Sequence, residues 1–385
     1  MNPKQVPDFI DHFNPLTDPR AERNQLHSMI EIIFLTVCAT IACCEGWADI
    51  EAYGKAKLAY LRTFLTYKNG IPSDDTMRRF FRAVDPVQFQ SLFRQWVQPF
   101  LETLDSDVSV EAGKESVIAI DGKSLRHSFD QDKKMLHMIS AFSTEARLIL
   151  AQEKVDEKSN EITAIPQLLE WLDLRGATVT IDALGCQYEI ADHIKAKEGE
   201  YIFSLKGNQC TLNEDVSMFL KEAEMLKDID IYTDYDKGHG RLETRTCYVT
   251  KDVAWLHERH LKWASIKSLI RIDSLREMKG KNATMETRYY IGSAFETAES
   301  ALKKIRSHWG IENAVHYVLD VSFGEDQSRI RKDNAPQNMA VIRHIVLNLL
   351  QKKKANTPRS SIKRLRKEAG WDDDVLTSIL CQKFS

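Results

Sequence analysis

The sequence predicts an α/β protein in which a mixed sheet is preceded by an all-helical N-terminal domain. Up to about residue 105, apolar side chains recur at helical spacing, whereas short apolar runs typical of buried strands begin at Ser116. From there, strands alternate with amphipathic helices, a pattern typical of helices packed on a sheet. Gly and Pro are sparse and 43% of the residues are hydrophobic, which excludes collagen-like, low-complexity and disordered proteins.

The N-terminal helical segment contains one candidate for DNA recognition. Helices are predicted over 24–44 and 48–66, and Ser73, followed by two acidic residues, is a typical start of another. Three arginines lie on one face of that helix: Arg78, Arg79 and Arg82. A further helix opens after Asp85. Two short helices around a turn are compatible with a DNA-binding helix-turn-helix and equally with the solvated face of a helical bundle, and the sequence leaves both open.

After the N-terminal helices, the sequence predicts the strands of the sheet and the helices between and after them. The polar stretch 106–116 is predicted to be a linker. Strands are predicted over 116–120, 135–144, 147–155, 177–181 and 201–205, with helices over 161–174 and 187–197. The stretch 206–286 is irregular, with strand-like pieces at 244–250 and 265–272. A strand at 288–293 and helices over 297–307, 311–319 and 335–350 follow, with a break expected at Gly310.

Two of the predicted strands each end in an aspartate, Asp121 and Asp182. Carboxylates at the ends of neighbouring strands lie close together, and such a pair is costly unless one is protonated or a cation lies between them. Oxygen ligands of this kind suit Mg²⁺ and two-metal phosphoryl transfer, which usually recruits a third carboxylate. Glu312 and Glu325 are the candidates. Taken singly, Asp121 also fits a turn, Asp182 a helix cap and Glu312 an ion pair.

Several motifs together give a more specific signal. They are Ala119–Lys123, Ile181–Ala183, Leu205–Gln209, His239–Arg245, His308–Asn313 and Arg329–Asn348. On these residues the chain resembles bacterial insertion-sequence transposases of the DDE type, in the branch of H-repeat-associated proteins linked to Rhs elements. The resemblance runs from about Phe9 to Leu350, with the motifs in the right order.

The resemblance implies an RNase H-like catalytic core over 116–350, interrupted by an inserted subdomain at about 206–290. A helical domain at 1–105, for DNA-end recognition or dimerisation, precedes this core, and a basic tail at 351–385 follows it. Asp121, Asp182 and Glu312 would be the catalytic residues and would hold two Mg²⁺ ions, for which Mn²⁺ would substitute. Only the resemblance ranks Glu312 above Glu325.

The same resemblance implies what the protein acts on. Its substrates would be double-stranded DNA at the element ends and at the target. A homodimer would cleave the element ends, and the 3′-OH freed on the cleaved DNA strand would then attack the target. Three alternatives stay open at this point. One is an inactive DNA-binding relic of a transposase, and another is an RNase H-fold nuclease without strand transfer. The third is a structural or interaction protein whose aspartates are only turn residues.

One departure from the wider superfamily concerns the grip on DNA. A tyrosine and an arginine before the glutamate and a lysine after it are replaced here by Ile305, His308 and Leu319. Phosphate contacts must therefore come from other residues. The candidates are Lys123, Arg126, Lys206, Arg241, Arg245, Arg329 and Arg331. Each also fits an ordinary surface charge, and Arg241 and Arg245 also fit an internal ion pair with Glu243.

Charge and cysteine usage restrict the class of protein further. The net charge of −3 excludes a bulk-basic DNA-binding protein, but residues 301–368 carry 15 Lys and Arg against six Asp and Glu. Seven scattered cysteines include no CxxC pair, which disfavours zinc and disulfide frameworks. The N-terminus lacks a signal-peptide pattern, and the apolar run 32–44 is too short to cross a bilayer, so no membrane association is expected. A cytoplasmic protein, on the nucleoid when bound to DNA, is predicted.

Overall fold

The strands after residue 116 form one mixed sheet. The computed structural model describes residues 7–108, 116–126, 136–155, 160–223, 228–238 and 240–382. The described strands are β1 Ser116–Leu125, β2 Leu136–Ser143, β3 Leu148–Val155, β4 Ala177–Ile181, β5 Glu200–Leu205, β6 Ile229–Gly238, β7 Arg241–Thr250, β8 Ser268–Met278 and β9 Thr284–Gly292. Their order across the sheet is β3-β2-β1-β4-β5-β9-β8-β7-β6. β1, β4 and β5 are mutually parallel neighbours and the other pairings are antiparallel, which confirms the predicted α/β class with a mixed sheet.

Helices precede, connect and follow the strands. The N-terminal ones are α1 Asp8–Phe13, α2 Met29–Ile41, α3 Trp47–Ala56, α4 Leu58–Leu61, α5 Asp74–Ala83 and α6 Pro86–Val108. Those between strands are α7 Glu161–Glu170, α8 Tyr188–Ala196, α9 Cys210–Phe219 and α10 Ala254–Arg259. The last are α11 Ala298–Ile311, α12 Tyr317–Phe323, α13 Ala335–Asn356, α14 Ile362–Trp371 and α15 Asp373–Leu380. None of the helices in the described ranges is long and apolar enough to cross a membrane.

The N-terminal helices share a core with the C-terminal ones. α13 is buried along nearly its whole length and packs against α2, α5, α6 and β3. The arginines of α5 are engaged in ion pairs: Arg78 binds Asp74, Arg79 binds Asp75 and Arg82 binds Asp333 of the segment before α13. These pairs favour a structural use of the helix face, and a role of 1–105 in DNA recognition stays a prediction.

β1 is longer than the sequence predicts, and this changes the position of Asp121. The predicted strand ended at Ile120, but pairing with β2 continues from Asp121↔Ser140 to Leu125↔Leu136. The parallel pairing of β1 with β4 does stop at Ile120↔Ile181. The extension was missed because its residues are half-buried and polar, so it lacks the apolar run that marks the first half of the strand.

The residues predicted as an inserted subdomain extend the same sheet. β9 pairs with β5, and β8, β7 and β6 follow outward in order. β6 has no sequence prediction, because its side chains are exposed or half-buried on both faces and it contains no continuous apolar run. α11 packs across β1, β4 and β6–β8, and so joins the two parts of the sheet.

Two further stretches differ from expectation. No break occurs at Gly310: α11 continues through a π-helical turn, Glu312–His316, into α12. In the stretch 351–385, predicted as a basic tail, the described residues complete α13 and form α14 and α15. Leu365 and Ala369 of α14, and Leu376 and Leu380 of α15, have helical spacing and are buried. Most of the predicted linker 106–116 lies outside the described residues, and so does His239. The division of the chain into domains stays a prediction.

Candidate active site

The register of β1 and β4 brings two aspartates together. Because Ile120 pairs with Ile181 across two parallel strands, Asp121 and Asp182 occupy the next position along each. The Asp182 carboxylate accepts a hydrogen bond from the backbone N–H of Leu184 at 3.0 Å, and this fixes it in the turn after β4. The Asp121 carboxylate accepts one from the backbone N–H of Gly122 at 2.9 Å.

A glutamate reaches the same place from the end of α11. Apolar residues of α11, including Ala301, Leu302 and Ile305, pack on Ile202 of β5 and on the inner face of β7–β9. This packing holds the helix across the sheet. Glu312 follows as the first residue of the π-helical turn, a feature that often occurs at functional sites.

The three carboxylates line one cavity of about 240 Å³, here called the carboxylate cavity. Its lining includes Asp121, Asp182, Glu312, Lys206, Arg288, Tyr290, Ile305, His308 and Trp309. His308 shares a hydrogen bond of 3.0 Å with Thr180, and burial lowers its pKa, so its ring is neutral at neutral pH. The cavity therefore combines acidic groups with two cations at its edge.

The environment of Asp121 disfavours its charged form. Burial raises its pKa to about 7, and the negative charges of Asp182, Glu161 and Glu312 add to this effect. His316, on the π-helical turn, places Nδ1 at 3.4 Å from Oδ2 of Asp121. Burial lowers the pKa of His316 to about 4, so it offers no positive charge there at neutral pH. The negative charge of Asp121 thus lacks compensation from its neighbours.

Replacing Asp121 with Asn is therefore expected to stabilise the metal-free protein above neutral pH. A carboxyl group with a raised folded pKa adds stability below its unfolded pKa of about 4 and loses it as the pH rises through about 7. The difference between an unfolded pKa of about 4 and a folded pKa of about 7 corresponds to a loss of about 4 kcal/mol of unfolding free energy at about pH 8. This value is an upper limit, because the side chain is 29% exposed and solvent screens its charge. Thermal unfolding in EDTA at about pH 5 and about pH 8 measures it. Equal melting of variant and wild type at the higher pH would contradict this account.

The donor set fits a hard divalent cation in part. Mg²⁺ prefers oxygen ligands, and a cation at this place would offset the uncompensated negative charge of the half-buried Asp121. Within the described ranges, however, no three His, Cys, Asp or Glu side chains converge closely enough to hold a metal ion on their own. Asp121 and Asp182 are adjacent and Glu312 faces them across the cavity, so the remaining ligands would have to be waters or phosphate oxygens, as is usual for Mg²⁺.

The second candidate glutamate, Glu325, is committed elsewhere. Its side chain is 2% exposed and pairs with Lys123 at 2.7 Å and with Arg343 at 3.3 Å. Burial alone would raise the pKa of Glu325, but these two cations hold it below its usual range. Glu325 does not line the carboxylate cavity. The geometry thus favours Glu312 as the third carboxylate.

The predicted phosphate-binding residues fall into different places. Lys206 is exposed and lines the carboxylate cavity, and Arg126 is exposed beside Asp326 at 3.5 Å. Lys123 is instead part of a buried network with Asp320 and Glu325, where its charge is already neutralised. Its position inside the extended β1 places its ammonium group against these acids, and a phosphate-binding role of Lys123 stays a prediction.

The remaining four arginines are divided between a cleft and the outer surface. Arg241 and Arg245 line a cleft of about 790 Å³ between β7–β9, α11 and the turn after β2, here called the arginine cleft. Both pair with the buried Glu243, as the competing interpretation of the sequence held. Arg329 is exposed and Arg331 half-buried, and neither lines the cleft or the carboxylate cavity.

Two residues of the site were not identified from the sequence. His316 lies beside Asp121, and its spacing of four residues from Glu312 is the signal that could have placed both on one helix face. Arg288 reaches the carboxylate cavity from β9, and nothing in its local sequence marks it, because β9 meets β5 only through the pairing of distant segments.

Most of the chain matches two known family models. Residues 112–349 match the family model described as Transposase DDE domain, and residues 10–97 match the one described as DDE_Tnp_1-associated. The first match contains all three carboxylates of the cavity.

Similar proteins carry related names. The H repeat-associated putative transposase YhhI of Escherichia coli (strain K12) is 38% identical over 97% of both chains. The putative transposase YncI of Escherichia coli O157:H7 is 36% identical over 97% of this chain and 95% of its own. A shorter relative, 37% identical over 18% of this chain and 84% of its own, is named inactive transposase YbfQ of Escherichia coli (strain K12).

Proposed function

Because the chain belongs to the family of transposases with a DDE domain, we propose that it cleaves and rejoins DNA by phosphoryl transfer. In the first step a water oxygen bonds to phosphorus and the 3′-oxygen of the strand leaves. In the second step the oxygen of that freed 3′-OH bonds to the phosphorus of a target phosphodiester, and the 3′-oxygen of the target strand leaves and takes up a proton. The substrate is double-stranded DNA, at the ends of the mobile element and at the target.

One observation carries this proposal: Asp121, Asp182 and Glu312 come from three separate elements and line one small cavity. Two parallel strands supply the aspartates, and a helix packed across the sheet supplies the glutamate. The strand order and this arrangement support an RNase H-like core, whose later strands carry the sheet outward from β5.

The three carboxylates would hold two Mg²⁺ ions, with Mn²⁺ as a substitute, and these supply activation of the attacking oxygen and stabilisation of the leaving one. The chain's own residues bind and orient the substrate around them. Lys206 and Arg288, at the cavity edge, contact phosphate oxygens. His308 and Trp309 line the wall beside Glu312 and exclude bulk water from it.

The active complex is proposed to be a homodimer, to which the N-terminal helices contribute either DNA-end recognition or the dimer contact. The separate family match over residues 10–97 supports a function of these helices together with the DDE domain. Most of the excess positive charge between 301 and 368 lies in α13, α14 and the loops around them, and it would neutralise further phosphates.

The test is a reaction of wild-type protein with duplexes taken from the DNA that flanks its gene. Mg²⁺ should yield strands with a free 3′-OH and joined products, and EDTA should yield neither. Cleavage without joining would identify a nuclease and contradict the transfer step. Salt-dependent binding with no metal-dependent product would instead identify an inactive DNA-binding relative, which is the second candidate because one similar protein is named an inactive transposase.

A further inference from the structure

The arginine cleft adjoins the carboxylate cavity, and the two share Arg288, Trp309 and Glu312. It is the larger of the two, at about 790 Å³, and it opens to solvent between the insertion strands and the turn that joins β2 to β3. Six arginines line it: Arg147, Arg241, Arg245, Arg276, Arg288 and Arg306. A strand of nucleic acid that reaches the three carboxylates has this cleft as a neighbouring path.

Five of the six arginines already have acidic partners. Arg241, Arg245 and Arg276 converge on the buried carboxylate of Glu243. The other two pairs are Arg288 with Glu286 and Arg306 with Asp234. These pairs compensate the charges of the five arginines and hold the side of the cleft formed by β7–β9 and α11 in place.

Arg147 differs from the other five. It is exposed, and no acidic group among the described residues lies within ion-pair distance of it. Its nearest acid in sequence, Glu145, accepts hydrogen bonds from the backbone N–H of Val117 at 3.0 Å and from the hydroxyl of Thr144 at 2.7 Å. Among the described residues of the cleft, Arg147 is therefore the one arginine without an acidic partner, and it lies in the turn between β2 and β3.

The backbone of Arg147 is also unusual. Its φ is +57°, in the left-handed region that favours glycine and that other residues seldom adopt. It ends the tight turn between β2 and β3, where a glycine would meet no such strain. Glu198 has a similar φ of +59°, so the backbone of Arg147 alone does not indicate a function, and the proposal depends on the position and charge of its side chain.

We propose that the arginine cleft holds the DNA strand next to the scissile phosphate, and that Arg147 contacts one of its phosphates. This rests on the proposed function, in which DNA is the substrate. A guanidinium matches the geometry of a phosphate and binds it with two parallel hydrogen bonds. The paired arginines form the walls of the arginine cleft, and Arg147 supplies the positive charge that pairs with the DNA phosphate.

Four variants test the proposal. Arg147→Gly removes the side chain and also the backbone strain of the positive φ. Arg147→Lys keeps the positive charge. Glu198→Gly makes the same backbone change at φ +59° in an exposed position that lines neither cavity. Arg175→Ala removes an exposed arginine before β4, also outside both cavities. Each is titrated with a labelled duplex from the DNA flanking the gene, at several salt concentrations, and its melting temperature is recorded.

The expected result is specific to Arg147→Gly. The affinity of this variant for the duplex falls roughly fivefold. The magnitude of the slope of log affinity against log salt concentration falls by about 0.9, the value for one lost phosphate contact. It melts at or above the wild-type temperature, as Glu198→Gly does, so the loss is not unfolding. Arg147→Lys keeps the slope, and the two control variants keep both affinity and slope.

Two outcomes would overturn the proposal and are distinguishable from each other. If wild type binds and cleaves the duplex but Arg147→Gly behaves like Glu198→Gly, or Arg175→Ala loses as much as Arg147→Gly, then Arg147 makes no contact and the proposed function stands. If wild type shows no salt-dependent binding and no metal-dependent cleavage, the proposed function fails and the role of Arg147 fails with it.

Discussion

Glu312→Gln is expected to reduce strand cleavage at least about a thousandfold while the protein stays folded. Loss of a metal-holding carboxylate removes about 4 kcal/mol or more of transition-state stabilisation, and each 1.36 kcal/mol corresponds to about a factor of ten in rate. The side chain is exposed in the carboxylate cavity and makes no ion pair among the described residues, so its removal costs little stability. Rates of Mg²⁺-dependent cleavage and melting curves of the same preparation measure the two effects.

A matched control lies on the same helix. Glu299, near the start of α11, is also exposed and pairs only with Lys303 one turn away. Glu299→Gln makes the same chemical change outside the cavity and should leave the rate within about a factor of two. A Glu312→Gln protein that cleaves as fast as Glu299→Gln would contradict the role of Glu312.

The largest effect on stability is expected from Glu325→Gln. The change leaves Lys123 and Arg343 buried with less negative charge, and breaking a buried pair of this kind costs about 3 to 5 kcal/mol of unfolding free energy. Because the pKa of Glu325 is held low, its contribution is present above its unfolded pKa of about 4.3 and is lost as the pH falls. Denaturant unfolding at neutral and acidic pH measures both.

The comparison with Glu312→Gln separates a structural glutamate from a catalytic one. At neutral pH Glu325→Gln should unfold at much lower denaturant than wild type, whereas Glu312→Gln should not. The difference between Glu325→Gln and wild type should shrink below about pH 4. An unfolding free energy of Glu325→Gln within about 1 kcal/mol of wild type would show that the buried pairs are not what holds β1 to α13.

The sequence predicts the two aspartates well because their signal is local. Each follows a continuous apolar run, and such runs are typical of strands buried on both faces of a parallel sheet. β4 was predicted to the residue, and its pairing with β1 then places Asp182 beside Asp121. The half-buried end of β1 and the exposed β6 lack a continuous apolar run, which is why neither is among the predicted strands.

The third carboxylate could not be chosen from local sequence. Glu312 and Glu325 both lie near the end of the helical stretch after β9, and what distinguishes them is contact with distant residues. Lys123 and Arg343 meet Glu325 only when β1 and α13 are folded together. The same limit applied to Lys123, which looked like a free cation beside the first aspartate and is a buried partner.

The phosphate-binding residues were the least predictable part of the site. A guanidinium binds a carboxylate as readily as a phosphate, so sequence cannot tell whether an arginine is free. Arg241 and Arg245 lie two residues from Glu243 on the same strand, so this pairing is local and the sequence offers it as an alternative. Arg276 meets Glu243 only through the pairing of β7 with β8. That Arg147 has no acid within ion-pair distance among the described residues likewise depends on the folded turn between β2 and β3.

The most direct test of the central claim compares wild type with Asp182→Asn in metal-dependent joining of a flanking-DNA end to a target duplex. The account predicts joined product from wild type with Mg²⁺ or Mn²⁺, and none from Asp182→Asn, although both proteins bind the DNA equally and melt at similar temperatures. Equal amounts of joined product from both proteins would contradict the claim that the carboxylate cavity carries out the chemistry.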